Sequence, residues 1–280
     1  MVILKTVQEL DQFLGPLRNK GATLGFVPTM GALHEGHISL ISKSLTEHGI
    51  TVCSIFVNPT QFNDPKDLIN YPRTPAEDHQ ALKNAGCDVL FEPEVNEVYS
   101  PDFKAPEFDF GVLEQVMEGA VRPGHFKGMA TVVYRLLDLV KPTHAYFGEK
   151  DFQQLAIVRK MVLQTGLPVQ IVGCETIREL DGLAMSSRNV RLSAEERTTA
   201  PILFETIRQS RSFLLKWGIH QARKEMCKAI ESTGLFAVEY LEFADATTLQ
   251  PINELSSLDQ CRAFIAVKAS ATRLIDNMKI

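Results

Sequence analysis

The sequence predicts an α/β protein in which a doubly wound parallel sheet is followed by a second, smaller α+β domain. Up to about residue 175, short apolar runs alternate with amphipathic segments of helix length. This alternation is typical of parallel strands joined by crossover helices. Beyond residue 176 two long helical segments precede the remaining strand-like runs. We therefore expect a Rossmann-like domain over residues 1–175 and an α+β domain over residues 176–280.

The elements of the first domain follow from composition and length. Short runs rich in β-branched and aromatic residues favour strands at Thr23–Val27, Thr51–Val57, Asp88–Phe91, Ala145–Gly148 and Val169–Val172. Amphipathic segments between them predict helices at Ile38–His48, Pro75–Ala85, Met129–Val140 and Phe152–Gln164. Glu77 and Asp78 suit the start of the second helix because the helix dipole favours acids there. Asp151 can cap the fourth helix.

The second domain is predicted from the same signals. Its helices are expected at Ala194–Trp217 and His220–Ser232, and its strands at Val238–Phe243, Arg262–Val267 and Thr272–Asp276. Ligands of doubly wound sheets bind beyond the carboxyl ends of the strands, at the topological switch point. Residues that directly follow predicted strands of the first domain are therefore the candidates for a site.

Composition excludes several classes of protein. The formal net charge of -5 argues against a general nucleic-acid binder. Five scattered cysteines without a CxxC pair indicate reduced thiols. The chain starts without the pattern of a signal peptide, and Arg135 and Asp138 interrupt its most apolar long stretch. We expect a soluble, cytoplasmic protein that has no membrane partner.

The segment PTMGALHEGH follows the first predicted strand. Glycines at 31 and 36 indicate a turn before a helix. If His34 and His37, three residues apart, fall in the first helical turn, they share one face. A helix N-terminus offers free N–H groups to a phosphate, and imidazoles can donate hydrogen bonds to charge that develops on it. A metal pair or two unrelated surface histidines are the alternatives, although no cysteine or third histidine lies nearby.

Two other segments carry groups that suit phosphates. DGLAMSSRN combines the hydroxyls of Ser186 and Ser187 with the guanidinium of Arg188, which can grip terminal phosphates. FGEKDFQQ follows the fourth strand; its Lys150 can neutralise a phosphate, and Gln154 lies one helical turn further on. Either segment alone is also typical of a solvated loop.

Two further stretches have polar groups near strand ends. NPTQF places the amide of Gln61 beyond the second strand, where it suits a hydroxyl or a carboxylate. RPGHFKG concentrates Arg122, His125 and Lys127 before a helix. That loop could bind or gate an anionic substrate, or be no more than a basic surface loop.

Together these motifs resemble the pantothenate synthetase family, within the HxGH nucleotidyltransferase superfamily. PTMGALHEGH, NPTQF followed by YPR, RPGHFKGMATVV, FGEKDFQQLA and DGLAMSSRN occur in the order found in that family. The similarity covers about the first 195 residues and is looser beyond them. The loop reads MSSR, with arginine where many relatives have lysine, and NPTQF has Thr60 where an apolar residue is common.

The resemblance implies a ligase that condenses pantoate with β-alanine, using ATP and Mg²⁺ through a pantoyl-adenylate. His34, His37 and Lys150 are then catalytic. Gln61 contacts pantoate and β-alanine, Gln154 contacts pantoate, and Arg122 is a further candidate for the substrate. The implied ATP-binding residues are Met30, Gly31, Ala32, Leu33, His34, Glu35, Gly36, His37, Gly148, Glu149, Lys150, Asp151, Ile177, Met185, Ser186, Ser187 and Arg188. No protein ligand of Mg²⁺ is assigned, and the family implies a homodimer with a C-terminal lid.

Three other functions are compatible with part of the pattern. A plain nucleotidyltransferase shares HxGH but leaves the nucleotide on its product, so AMP release that requires an amine separates it from a ligase. A nucleotide-binding regulator without catalysis would be expected to have lost a histidine or the SSR loop, and both are intact. An aminoacyl-tRNA synthetase is disfavoured by the acidic charge and by the absence of an anticodon-binding extension.

Overall fold

The computed structural model describes residues 1–62 and 68–280, and its N-terminal part is a six-stranded parallel sheet with helices on both faces. The strands are β1 (Val2–Leu4), β2 (Leu24–Thr29), β3 (Ile50–Ile55), β4 (Val89–Phe91), β5 (His144–Gly148) and β6 (Gln170–Cys174). The helices are α1 (Val7–Asn19), α2 (Glu35–Glu47), α3 (Pro75–Ala85), α4 (Val95–Val98), α5 (Met117–Val121), α6 (His125–Val140) and α7 (Phe152–Thr165). The strand order is β1-β4-β3-β2-β5-β6, which confirms the doubly wound fold.

Alternation along the strands explains why both faces of the sheet are covered. Neighbouring residues of a strand point to opposite faces, and here both sets are apolar. Phe26 of β2 packs with α1 and α6 residues in one core, whereas its neighbour Val27 packs with α2 and α3 residues in another. In β5, Phe147 packs in the same core as Phe26, and Tyr146 packs in the same core as Val27. Strands that are buried on both faces require the crossover helices on both sides.

The C-terminal part is a three-stranded antiparallel sheet with helices packed on it. The helices are α8 (Ala194–Thr199), α9 (Ile202–Arg208) and α10 (Ser210–Glu231), and the strands are β7 (Ala237–Asp245), β8 (Cys261–Lys268) and β9 (Arg273–Lys279), in the order β7-β8-β9. This part has its own core, which includes Leu203, Met226 and Ile265. The smaller α+β unit is therefore present. The boundary between residues 175 and 176 stays a prediction.

The single helix predicted over Ala194–Trp217 is wrong. The segment forms α8, α9 and the first part of α10. Pro201 interrupts the pattern because a proline has no N–H to donate and its ring obstructs the preceding turn. The gap predicted between residues 217 and 220 is a sharp break inside α10 at Gly218, whose φ is 74°. β1 is not predicted from the sequence, since its run Val2–Leu4 is only three residues long.

Several predicted ends shift by a few residues. β2 continues to Thr29 and β9 to Lys279, while α2 begins at Glu35 and α6 at His125. The two helices therefore begin inside the motifs HEGH and RPGHFKG, so motif residues form the first turns of the helices that follow them.

The topological switch point lies between β2 and β5. β2 pairs with β3 along its whole length, from Leu24 to Thr29, but with β5 only at Gly25 and Phe26. Beyond Phe26 the two strands part. Pro28, which has no N–H to donate, lies in the part of β2 that pairs with β3 but not with β5. A crevice therefore opens between the carboxyl ends of β2 and β5.

A small apolar cluster joins the two parts of the molecule. Met117 and Phe152 from the first part pack against Ala244, Leu249 and Phe264 from the second. All five cysteines are unpaired, as the sequence predicts. Among residues 1–62 and 68–280, we find no helix with the length and apolar character needed to cross a bilayer.

We predict that Gly25→Ala destabilises the fold by about 1–3 kcal/mol. A methyl group at Gly25 would overlap Ser44 Oγ and lie 2.7 Å from the His48 ring. Ser44 is fully buried and is hydrogen-bonded to Thr51 Oγ1 at 2.8 Å, so it cannot move without cost. Urea unfolding measures the difference.

The matched control is Gly49→Ala, at the start of the neighbouring strand. No atom lies within 4 Å of a methyl group placed there, and we expect little change in the free energy of unfolding. Equal stability of the Gly25→Ala and wild-type proteins would contradict the packing of α2 on β2.

Candidate active site

A cavity of about 250 Å³ occupies the crevice between the ends of β2 and β5. Segments that are far apart in sequence line it together. The predicted residues that line it are Met30, His34, Gly36, His37, Gln61, Arg122, Gly148, Lys150, Asp151, Gln154, Ile177, Met185, Ser186, Ser187 and Arg188. The other predicted residues, Gly31, Ala32, Leu33, Glu35 and Glu149, lie in the same turns without lining this cavity. The structure therefore gathers the separate motifs around one space.

A larger cavity of about 650 Å³ adjoins the first and reaches the C-terminal sheet. Arg122, Lys150, Gln154 and Arg188 line both cavities. On its far side the larger cavity is lined by C-terminal residues that include Tyr240, Phe264, Arg273 and Asn277. The site is therefore a cleft between the two parts of the molecule.

The turn after β2 has an unusual backbone. Gly31 and Ala32 both have positive φ, at 82° and 50°. Positive φ is costly for alanine, so neighbouring groups must hold it. The carboxylate of Asp78 accepts hydrogen bonds from the N–H groups of Ala32 and Leu33, at 2.9 and 2.7 Å. A buried acid on α3 therefore fixes the turn that carries the two histidines.

Sequence reasoning placed Asp78 only as a favourable charge in the first turn of α3. The side chain is 3% exposed and also accepts a hydrogen bond from Thr74 Oγ1 at 3.1 Å. An acid at a helix start is common on protein surfaces, and no local pattern distinguishes a buried one. Its function depends on α3 packing beside the β2 turn.

His34 and His37 cap α2 with their rings. His34 precedes the helix, and its Nδ1 accepts a hydrogen bond from the Gly36 N–H at 3.1 Å. His37 is in the first turn, and its Nδ1 accepts from the His34 N–H at 3.3 Å. A backbone N–H can only donate, so in the neutral form each ring has its proton on Nε2. His34 is therefore the capping residue, and of the two histidines His37 lies within the first turn.

Gly36 is required for this arrangement. A methyl group at Gly36 would lie 2.8 Å from Cε1 and 2.9 Å from Nδ1 of His34. The glycine therefore leaves room for the His34 ring to fold over the helix start. The two rings then lie together, with centroids 4.1 Å apart.

Both rings are held neutral. Burial, followed by the nearby charge of Lys150, lowers the pKa of His34 to about 4. Burial lowers the pKa of His37 to about 3, with further contributions from His34 and Lys150. At neutral pH the site therefore offers two uncharged Nε2–H donors beside the basic side chains of Arg122, Lys150 and Arg188, which line the same cavity.

The MSSR loop contacts the first turn directly. Ser187 Oγ donates a hydrogen bond to the carbonyl oxygen of Ala32 at 2.9 Å. The loop itself is fixed by Ser186, whose Oγ accepts from the Arg188 N–H at 3.3 Å. The guanidinium of Arg188 lies 5.4 Å from the centre of the Tyr71 ring. The two motifs, 155 residues apart, thus face each other across the smaller cavity.

Lys150 enters the site from a short turn between β5 and α7. Gly148 ends β5, and Glu149–Asp151 form a single 3₁₀ turn. The Lys150 side chain is 19% exposed, and its Nζ lies 3.9 Å from Asp151 Oδ2. The predicted helix cap by Asp151 is not seen, because its side chain makes no capping hydrogen bond to α7. That carboxylate lines the cavity instead.

The amide of Gln61 has a defined orientation. Its Oε1 accepts from Asn58 Nδ2 at 3.3 Å, and its Nε2 lies 2.9 Å from Met30 Sδ. Asn58 is fully buried, and its own Oδ1 accepts from Tyr99 Oη at 2.9 Å. The sequence pattern predicts Gln61 as a site residue but gives no sign of Asn58, which orients it.

His125 supports the same loop through the opposite tautomer. Its Nδ1 lies 2.9 Å from the carbonyl oxygen of Gln61. A carbonyl can only accept, so Nδ1 carries the proton. Burial, followed by the Arg122 charge, lowers the pKa of His125 to about 4. The RPGHFKG segment therefore holds the Gln61 loop and contributes Arg122 to both cavities.

A metal-binding function of the histidine pair gains no support. Within residues 1–62 and 68–280, no group of three or more His, Cys, Asp or Glu side chains could hold a metal ion. The Nδ1 atoms of His34 and His37 are also occupied by backbone N–H donors.

Comparison with known proteins shows the family of this chain. The family model of pantoate–β-alanine ligase matches residues 2–279. The chain belongs to the pantoate–β-alanine ligase family. It is 48% identical over 280 residues to pantothenate synthetase of Porphyromonas gingivalis and 47% identical to that of Bacteroides thetaiotaomicron, covering 100% of this chain and 99% of each relative.

Solved structures of pantoate–β-alanine ligases have the same fold. The crystal structure of pantothenate synthetase from Thermus thermophilus has a TM-score of 0.92 at 42% identity and covers 100% of this chain and 99% of its own. A Francisella tularensis pantoate–β-alanine ligase, described as complexed with β,γ-ATP and β-alanine, has a TM-score of 0.83 at 36% identity, with 100% and 97% coverage. The chain is thus a ligase, and its two-part architecture is that of its family.

We predict that Asp78→Asn lowers the free energy of unfolding by about 1–3 kcal/mol and reduces ligase turnover. An amide can accept only one of the two backbone N–H bonds, and its own NH₂ group would face the other donor. The strained turn at Gly31 and Ala32 then loses half of its support. Urea unfolding and a steady-state assay measure the two effects.

Glu77→Gln is the control, since Glu77 is the exposed neighbouring acid in the same helical turn. It changes the same charge at the start of α3 without touching the β2 turn. Similar small losses in both variants would contradict the role of Asp78.

We also predict a mixed tautomer pattern for the histidines of the site. Long-range ¹H–¹⁵N spectra should show His34 and His37 as neutral Nε2–H rings and His125 as a neutral Nδ1–H ring between about pH 8 and pH 5. The folded pKa values lie below the ordinary value of 6.5. Their stabilising contribution is therefore present above pH 6.5 and is lost as the pH falls toward the folded values.

Titration of His34 or His37 near pH 6.5 would contradict the capping geometry.

Proposed function

We propose that this chain joins pantoate to β-alanine at the expense of ATP through a pantoyl-adenylate intermediate. The observation that carries the proposal is the single cleft in which the HEGH, GEKD and MSSR segments meet Gln61 and Gln154. The hydrogen bond from Ser187 to Ala32 joins the MSSR segment to the turn after β2. The Francisella relative, described as complexed with β,γ-ATP and β-alanine, supports ATP and β-alanine as substrates.

The first step transfers an adenylyl group to pantoate. A pantoate carboxylate oxygen attacks the α-phosphorus, the bond from that phosphorus to the bridging β-phosphate oxygen breaks, and pyrophosphate leaves with the bonding electrons. A free carboxylate is a poor acyl donor, and the adenylate gives it a good leaving group. Such a step depends on positioning and on stabilising charge.

The neutral histidines and Lys150 are suited to that task. In a water-poor cleft, the Nε2–H groups of His34 and His37 donate hydrogen bonds to the α-phosphate oxygens as charge builds on them. Lys150 supplies the positive charge. The pKa values of both rings are lowered far below 7. Hydrogen-bond donation by neutral imidazoles is therefore favoured over proton transfer from an imidazolium ion, for His37 as well as for His34.

The remaining phosphates face the MSSR loop. Ser186, Ser187 and Arg188 line the cavity opposite the histidines, and arginine offers a planar fork of donors to phosphate oxygens. Ile177, on the segment that follows β6, provides an apolar surface for the adenine. The turn from Met30 to His37 lies against the nucleotide.

Gln61 and Gln154 hold pantoate. With Gln61 Oε1 accepting from Asn58, its Nε2 is left to donate toward the substrate. In the second step the β-alanine amine attacks the acyl carbon, the bond from that carbon to the AMP oxygen breaks, and the nitrogen loses a proton. Gln61 Oε1 is placed to accept a hydrogen bond from the amine. Arg122 lines both cavities and suits the carboxylate of a substrate.

Mg²⁺ fits this site as an ion carried by the ATP phosphates. It usually binds through one or two carboxylates together with substrate phosphates. Asp151, beside Lys150, lines both cavities and is the carboxylate that would hold it. Bound there, the ion would neutralise phosphate charge. A C-terminal lid and a homodimer stay predictions of the family resemblance, and a cytoplasmic location stays a prediction from composition.

The reaction is tested by measuring pyrophosphate and AMP release from ATP and Mg²⁺ with pantoate, with and without β-alanine. We expect about one equivalent of pyrophosphate per site with pantoate alone, followed by steady AMP release when β-alanine is added. Pyrophosphate release that requires no acid, or nucleotide retained on the product, would contradict the ligase reaction.

We predict that His34→Ala and His37→Ala each reduce adenylate formation by about 10²–10³-fold. The loss reflects one Nε2–H donor that is missing when charge develops. Single-turnover pyrophosphate release with pantoate measures it. His220→Ala, on the exposed surface of α10, is the control and should keep wild-type turnover.

A further inference from the structure

A buried amide side chain of the C-terminal sheet contacts the turn at residues 149–151, which carries Lys150. Asn277 of β9 is 3% exposed. Its Nδ2 donates hydrogen bonds to the carbonyl oxygens of Glu149 and Lys150, both at 2.9 Å. Both amide protons are thus used on consecutive carbonyls of the turn that carries Lys150.

The orientation of this amide is fixed by its other end. Asn277 Oδ1 accepts from Arg262 Nε at 2.9 Å, so Nδ2 is the atom that faces the turn. The same arginine reaches the turn by its other nitrogen, with Nη2 3.1 Å from Glu149 Oε2. Its guanidinium also lies 4.0 Å from the centre of the Phe152 ring. Arg262 and Asn277 therefore form one clamp on residues 149–152.

Asp276, the residue before Asn277, contacts the segment that leads into the MSSR loop. Asp276 accepts two hydrogen bonds from Arg178, at 2.6 and 3.0 Å. Arg178 also donates to the Gly182 carbonyl at 3.0 Å, and the Met185 N–H donates to the Ile177 carbonyl at 3.0 Å. Successive side chains of a strand point to opposite faces, so two neighbouring residues of β9 can hold two separate walls.

We propose that Asn277 is a positioning residue that places Lys150 for the adenylation step. The turn at residues 149–151 has only three residues of 3₁₀ helix and no side-chain cap on α7. The carbonyl oxygens of Glu149 and Lys150 accept hydrogen bonds from Asn277 of β9, which ties the position of this short turn to the C-terminal sheet. The C-terminal sheet is thus part of the phosphate-binding site through its contact with the turn backbone.

The inference rests on the proposed role of Lys150 in binding ATP phosphates. A misplacement of about 1 Å in a catalytic group can cost about 10²-fold in rate. Removal of the Asn277 amide therefore lowers turnover through Lys150, without touching the substrates itself.

A double-mutant cycle with Asn277→Ala and Lys150→Ala tests this coupling. The readouts are single-turnover pyrophosphate release with pantoate, and the Kd of ATP with Mg²⁺ in the absence of pantoate. We expect Asn277→Ala to lower the rate by about 10- to 100-fold and to have much less effect when Lys150 is already alanine. A merely structural role predicts the same factor in both backgrounds, and that result would overturn the proposal.

Ser210→Ala is the matched control. Ser210 is buried in the C-terminal part, and its Oγ donates to the Ile207 carbonyl at 2.6 Å. The substitution removes a buried hydrogen bond of the same domain at a residue that lines neither cavity, and turnover should stay at the wild-type level. A loss equal to that of Asn277→Ala would assign the effect to domain stability and contradict the proposal.

If Asn277→Ala fails to fold, Asn277→Ser takes its place in the same cycle, since serine keeps one donor but cannot reach both carbonyls. Coupling seen in the Kd of ATP, without pyrophosphate release from the wild-type protein, would support the positioning role and contradict the proposed reaction. Normal wild-type turnover together with unchanged Asn277 variants would contradict the positioning role alone.

Discussion

The parting of β2 and β5 is the constraint on which the rest of the site depends. The two strands pair over only two residues, Gly25 and Phe26, and then separate. Each strand therefore delivers its following turn to the same crevice, one with the histidines and the other with Lys150. A longer ladder between these strands would close the space in which both turns now meet.

The turns that fill the crevice are short and irregular, and each is held by a residue from elsewhere in the chain. Asp78 of α3 accepts hydrogen bonds from N–H groups of the turn after β2. Asn277 of β9 donates hydrogen bonds to carbonyl oxygens of the turn after β5. Backbone groups that no regular element satisfies must find partners when they are buried. One support comes from the N-terminal part and the other from the C-terminal part, so both parts of the molecule contribute to the geometry of the cleft.

Electrostatics and hydrogen bonding act together at the histidine pair. Burial and Lys150 both disfavour the charged form of the rings, and the backbone N–H groups at Nδ1 select the tautomer with Nε2–H. The site thus combines the basic side chains of Arg122, Lys150 and Arg188 with two neutral donors. This arrangement suits an anionic centre whose charge grows during reaction, because neutral donors are less costly to desolvate than two further cations.

The sequence by itself determined the doubly wound sheet, the order of its motifs and the family, because strand composition and ordered motifs are local signals. It also selected Gln61, Lys150 and the two histidines as the chemistry-bearing groups. It could not identify Asp78, Asn58 or Asn277, whose residue types are ordinary at a helix start, in a turn and on a strand. Their roles arise from packing between elements that are 45 to 128 residues apart, or from burial that only the folded chain creates. The tertiary structure alone decided these supports, since a hydrogen bond between distant residues leaves no pattern along the chain.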